Sequence, residues 1–253
     1  MARFFGGRSV ADIGRRDVGE YIVQRKRSGV CNRTINRELF ALSAAYRYAG
    51  RYWAWEVAWP GRELKLKEPE GRLRYLERQE AQRLLAAASV GPEYLADFIR
   101  LALYTGCRKT EMLTLTWPRV DVHAKRLTVE SHLSKTGKRR IVPLNLVALE
   151  ALAGRREFQR LNKIESDWVF CHLNGRPVRN IYFGFHRAIK TANIEDFKVH
   201  DLRHTFASWL VCAGVPLTEI RDLLGHSSVE QTERYAHLAP DRLREAVAVL
   251  DGL

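Results

Sequence analysis

Residues 200–235 read HDLRHTFASWLVCAGVPLTEIRDLLGHSSVEQTERY. These 36 residues hold His200, His204 and His226, Arg203 and Arg221, and a closing Tyr235. Short apolar stretches separate them, so the polar groups are expected on three short helices. Such a set suits chemistry on a phosphate. A phosphodiester is anionic, and attack on it builds further charge on its oxygens, which preorganised cationic donors stabilise. Arginine is always charged and can grip two oxygens at once. A tyrosine hydroxyl, with a pKa near ~10, attacks at neutral pH only with help from a base or from strong local positive charge. Tyr235 therefore reads as a candidate nucleophile toward a phosphodiester.

Other polar residues stand outside this segment. TGCRKTEML (105–113) holds Arg108 and, one helical turn on, Glu111. SKTGKRRIVPL (134–144) places Lys135 in a turn between two strand-like runs. Taken singly, Arg108 is an ordinary helix-start arginine, Lys135 a solvated turn lysine, and His200, His204 and Tyr235 are satisfied core residues. Taken in order, with His226 nine residues before Tyr235, they resemble the tyrosine recombinase (phage integrase) family.

That resemblance covers the whole second half of the chain and implies roles. Arg108 and Arg203 grip the phosphate, with His226 as a third donor. His200 accepts or positions the tyrosine proton. Lys135 protonates the leaving 5′ oxygen, with Lys138 as its local rival. Glu111 orients His200 or Arg203, and His204 lends support. Tyr235 holds the broken strand as a 3′-phosphotyrosine, so rejoining needs no cofactor. The activity implied is site-specific recombination of double-stranded DNA.

The elements that must position these groups follow from periodicity. Residues 16–29 put Val18, Tyr21 and Ile22 on one helical face. Residues 32–50 form a stronger helix, capped by Asn32 or Thr34, striped by Ile35, Leu39, Leu42 and Tyr46, and stopped by Gly50. Arg33, Arg37 and Arg47 lie off the stripe and are read as DNA contacts, as are Lys138 and Arg139. Trp53, Trp55 and Trp59 read as a small core cluster. Pro60, Gly61, Pro69 and Gly71 break the pattern, so a linker is placed near 62–72. Helices follow at 76–89, 91–107, 144–161 and 180–193. Strands are expected at 126–131 and 139–144, and a short hairpin with an Asn174-Gly175 turn at 167–178. The fold class is mainly α with a small antiparallel β-sheet (α+β). A helical, core-binding-like domain spans 1–67 and a catalytic domain 68–253.

Composition narrows the function. Forty-two Lys and Arg against 29 acids give a net charge of +13, with pI about 9.9, which favours a polyanionic partner. Hydrophobic content of 46% with 28% charge is that of a folded globular protein. No apolar run is long enough for a membrane span, and no signal peptide is evident, so a cytoplasmic location is expected. Cys31, Cys107, Cys171 and Cys212 form no CxxC pair and read as buried, reduced thiols. His200 and His204 have no third ligand spaced to join them, and no P-loop pattern occurs, so neither metal nor nucleotide cofactor is expected. About 16 residues precede the first clear helix, which is short for the family's core-binding domain and reads as a minimal or truncated form. Leu243, Ala246, Val247 and Leu250 form an amphipathic stripe that packs on its own domain or on a neighbouring copy in a synaptic tetramer. Two other function classes fit parts of the sequence. One is a helix-turn-helix regulator built on 215–235, which leaves Arg108 and Lys135 unexplained. The other is a DNA-relaxing topoisomerase with the same tyrosine chemistry.

Overall fold

The computed structural model describes residues 2–69, 71–130 and 139–240. The chain divides into two compact units, Met1–Arg72 and Leu73–Leu253.

In the first unit, a short helix α1 (Ala2–Phe5) precedes α2 (Arg15–Arg27) and α3 (Asn32–Tyr52). The predicted apolar stripes meet: Val18, Tyr21 and Ile22 of α2 pack on Ile35 and Leu39 of α3. Glu38 sits beside this core and accepts from the Tyr21 hydroxyl at 2.8 Å and from Arg25 at 2.6 and 3.0 Å. Residues 62–68, expected as a linker, run along α3. Asn36 clasps the backbone of Leu66 from both sides, donating to its carbonyl and accepting from its N–H, each at 2.9 Å. Gly50 does not stop α3, which runs to Tyr52. The reversal falls instead at Ala54, whose φ of 54° places it in the left-handed region. The three tryptophans separate. Trp59 packs against Tyr46, while Trp53 and Trp55 are exposed, touch each other, and Trp53 also meets Tyr48 near the end of α3.

The second unit carries α4 (Arg78–Ser89), α5 (Leu95–Thr105), α6 (Lys109–Leu113), α7 (Leu146–Leu161), α8 (Tyr182–Thr191), α9 (Asp201–Cys212), α10 (Leu217–Leu224) and α11 (Glu230–Glu233). Its sheet is antiparallel, in the order β1 (Val120–Asp121), β2 (Arg126–Val129), β3 (Arg140–Pro143). Leu127 faces Val142 across β2 and β3, and both are buried. The fold is mainly helical with one small sheet, as the periodicity predicts.

Helix α5 is the hub. Leu95, Phe98, Ile99, Leu101, Ala102 and Leu103 are all buried, because an apolar sequence on nearly every face suits a helix packed on several sides. It packs on α7 and α9. A smaller cluster of Ala207, Val211, Ile220, Leu224 and Tyr235 joins α9, α10 and the segment after α11. The 167–178 hairpin is present as a narrow loop, closed by His172 N–H to the Arg176 carbonyl and by the positive φ of Gly175. Cys107 and Cys171 are buried, but Cys31 and Cys212 are exposed, since each sits at a helix end and not on an apolar face. No helix among the described residues is long and apolar enough to cross a membrane.

Candidate active site

Two glycine turns build the site. Helix α5 ends at Gly106, and α10 ends at Gly225, both with φ of +63°. A left-handed residue at that position suits glycine, which has no Cβ to clash. Here space excludes one too. A Cβ on Gly106 would lie 2.4 Å from the Phe206 ring, and one on Gly225 would lie 2.7 Å from Arg140 Cδ. Immediately after these turns come Arg108, which precedes α6, and His226.

Arg203 ties the two turns together. Its side chain is 4% exposed and donates to the Gly106 carbonyl at 2.7 Å and to the Leu224 carbonyl at 2.6 Å. Those carbonyls are ones a helix leaves unpaired at its C-terminus. Each terminal nitrogen still carries a second N–H. Burial, then Arg108, lowers the Arg203 pKa to about 10, so it stays charged at neutral pH.

Glu111 counters this positive charge. Its carboxylate accepts from the Arg108 backbone N–H at 2.8 Å, which caps α6, and from the Arg108 guanidinium at 2.8 Å. It also accepts two hydrogen bonds from Arg140, at 2.8 and 2.7 Å. Burial pushes the Glu111 pKa up, but the Arg140 pair and Arg108 outweigh it and hold it at about 2. The expected partners of Glu111 were His200 or Arg203. The cause is geometric: α6 turns Glu111 back toward the residue that precedes it, Arg108, and toward β3.

His226 Nδ1 lies 2.9 Å from the buried Thr232 hydroxyl. Burial, then Arg203, Arg108 and Arg140, lower its pKa to about 4. It is neutral at pH 7. The tautomer in which Thr232 donates to Nδ1 carries its proton on Nε2, where it can be given to an oxygen.

Tyr235 is 1% exposed, and its hydroxyl is 2.5 Å from His204 Nδ1. Burial pushes its pKa up to about 12, against the pull of Arg234 and Arg203. The Arg234 guanidinium lies 5.8 Å from the centre of its ring. His200, at the start of α9, is exposed, and its ring meets that of His204 edge-on with centroids 4.9 Å apart. Partial burial, then Arg203, lowers its pKa.

Thus the structure gathers Arg108, Glu111, His200, Arg203, His204, His226 and Tyr235 around two helix ends. Lys135 and Lys138 lie outside the described residues. So does the amphipathic stretch beyond Pro240. Arg33, Arg37, Arg47 and Arg139 are all exposed, though Arg33 pairs with Glu68 at 3.1 Å. Arg140 and Thr232 were missed. Alternation along β3 puts Arg140 on the same face as the buried Val142, and a charge on a buried face was the available signal. Nothing in the spacing pointed to Thr232. Among the described residues, no three His, Cys, Asp or Glu side chains converge as metal ligands would.

A model of the phage integrase family matches residues 74–242. This chain belongs to the phage integrase family. The integrase of Salmonella phage P22 is 34% identical over 204 residues, covering 75% of this chain and 50% of that protein. The integrase of Haemophilus phage HP1 is 32% identical over 253 residues, covering 97% of this chain and 68% of that protein. The chain thus spans half to two thirds of these phage integrases. Among solved structures, the Tn1549 transposon integrase in complex with a circular intermediate DNA shares the fold. Its TM-score is 0.77 at 19% identity, covering 98% of this chain and 87% of that one.

Proposed function

We propose that this member of the phage integrase family is a site-specific recombinase, which breaks and rejoins double-stranded DNA through Tyr235. The observation that carries the reading is one cluster: a buried Tyr235 within electrostatic reach of buried Arg203, with a neutral, half-buried His226 and a half-sheltered Arg108. In this reading the scissile phosphate lies against Arg108, the outer N–H groups of Arg203 and Nε2 of His226. Charge that builds on its oxygens meets donors already in place. The Tyr235 oxygen attacks phosphorus and the 5′ oxygen leaves, taking a proton from Lys135. The first unit, with exposed Arg37 and Arg47 on α3, binds the DNA backbone. Copies of the chain assemble on DNA as a synaptic tetramer.

The relatives named integrases support this reading, as does the net charge of +13. The test is a nicked duplex from which the cleaved strand end diffuses away. A covalent protein–DNA adduct should accumulate without Mg²⁺ or ATP. No adduct on any duplex that the protein binds would overturn the reading.

A further inference from the structure

Two histidines stand at the N-terminal end of α9, and the structure distinguishes them. His200 is exposed at the start of the helix. His204, one turn further in, is 8% exposed and has its Nδ1 on the Tyr235 hydroxyl. A proton moves most readily along a hydrogen bond that already exists, and a general base must lie within about 2.6–3.2 Å of the proton's carrier. We propose that His204, and not His200, is the group that takes the Tyr235 proton. The inference rests on Tyr235 being the nucleophile.

The step balances as follows. The Tyr235 oxygen bonds to phosphorus as its proton passes to His204 Nδ1. The bond from phosphorus to the 5′ oxygen breaks, and that oxygen keeps the electron pair and collects the proton supplied by Lys135. On rejoining, the 5′ hydroxyl attacks and imidazolium returns the proton to the departing phenolate. The neighbouring charges serve both directions. Arg203 and Arg234 favour phenolate, while Asp201 opposes them. The His200 ring meets the His204 ring edge-on, with centroids 4.9 Å apart.

The test is the pH dependence of adduct formation on the nicked duplex. His204→Asn keeps an acceptor near the Nδ1 position but cannot take a proton. It should form adduct about 10²–10⁴-fold more slowly near neutral pH. Its rate should then climb roughly tenfold per pH unit, because phenolate must form before attack. DNA binding and melting temperature should stay close to wild type. Wild-type adduct formation should fall off below the imidazole range, and His200→Asn, whatever its rate, should keep that limb.

A wild-type rate and pH profile in His204→Asn would overturn the assignment, and so would faster cleavage, which would make His204 a restraint on Tyr235. If His204→Asn does not fold, the other two proteins decide. A wild-type profile with no limb in the imidazole range, or a limb that vanishes in His200→Asn, overturns it. Tyr235→Phe separates the two levels. An adduct that persists there sinks the nucleophile assignment itself, and His204 falls with it. Absence of a wild-type adduct does the same.

Discussion

Glu111 holds Arg140 through two hydrogen bonds, at 2.8 and 2.7 Å, while also accepting from Arg108. One buried carboxylate thus anchors a strand arginine and a site arginine together. Removing one member of a buried charge pair costs about 3–5 kcal/mol, because the remaining charge is left uncompensated. Glu111→Gln should lower unfolding free energy by about that much in a denaturant titration. A loss under ~1 kcal/mol would show that solvent reaches these guanidiniums and that the clamp is weak.

Arg108 and Arg203, both proposed to grip the phosphate, should separate by what else they do. Arg108 carries 17% side-chain exposure, whereas Arg203 also closes two helix ends. Arg108→Ala should cut the cleavage rate by about 10²–10³, the cost of one lost transition-state donor, with DNA affinity much less changed. Arg203→Ala should lose cleavage and melting temperature together. Equal losses of binding and cleavage for Arg108→Ala would make it an ordinary backbone contact.

Gly225 carries both a left-handed φ and a close approach to Arg140. Gly225→Ala adds strain of about 1–2 kcal/mol from φ alone. The new Cβ must also displace Arg140, and with it the carboxylate clamp. The variant should melt lower and cleave more slowly than its stability loss alone predicts. Normal cleavage by folded protein would mean that the turn tolerates a side chain and that Arg140 is not coupled to the site.

Stability should fall at both ends of the pH scale, for opposite reasons. Glu111 and His226 titrate lower when folded, at about 2 and about 4 against 4.5 and 6.5. The unfolded chain therefore binds protons first. Stability drops as pH falls from 6.5 toward 4 for His226, and from 4.5 toward 2 for Glu111. Tyr235 is raised to about 12 from 10, so its contribution is present below pH 10 and lost as pH rises toward 12. Burial also raises Cys107 above 9.0, so denaturant midpoints should be flat only between about pH 6.5 and 9. His226→Asn should reduce the slope below pH 6.5, to which the lowered His200 also contributes, and Tyr235→Phe should reduce the alkaline one, which Tyr21, also raised to about 12, shares. An unchanged acid slope in His226→Asn would place its cause elsewhere.

The sequence carried the site unevenly, for physical reasons. Helix α5 and its glycine stop were legible because periodicity and a left-handed cap leave local marks. Arg108, Arg203, His226 and Tyr235 were legible through their order, since the family resemblance they carry sets a residue type at each place. Pairings across long separations leave no local mark. The Tyr235–His204 contact spans 31 residues and the Arg140–Glu111 pair 29. Helix α3 ran past Gly50 because one glycine costs a helix only about 1 kcal/mol, which neighbouring contacts outweigh. The exposed Trp53 and Trp55 show the limit of reading hydrophobic type as burial.

The central claim is that Tyr235 becomes joined to DNA. Digesting the trapped protein–DNA adduct and sequencing the modified peptide by mass spectrometry reads this directly. The nucleotide should sit on Tyr235, and Tyr235→Phe should form no adduct while still shifting the duplex on a gel. A nucleotide on any other residue, or an adduct that survives in Tyr235→Phe, would contradict it.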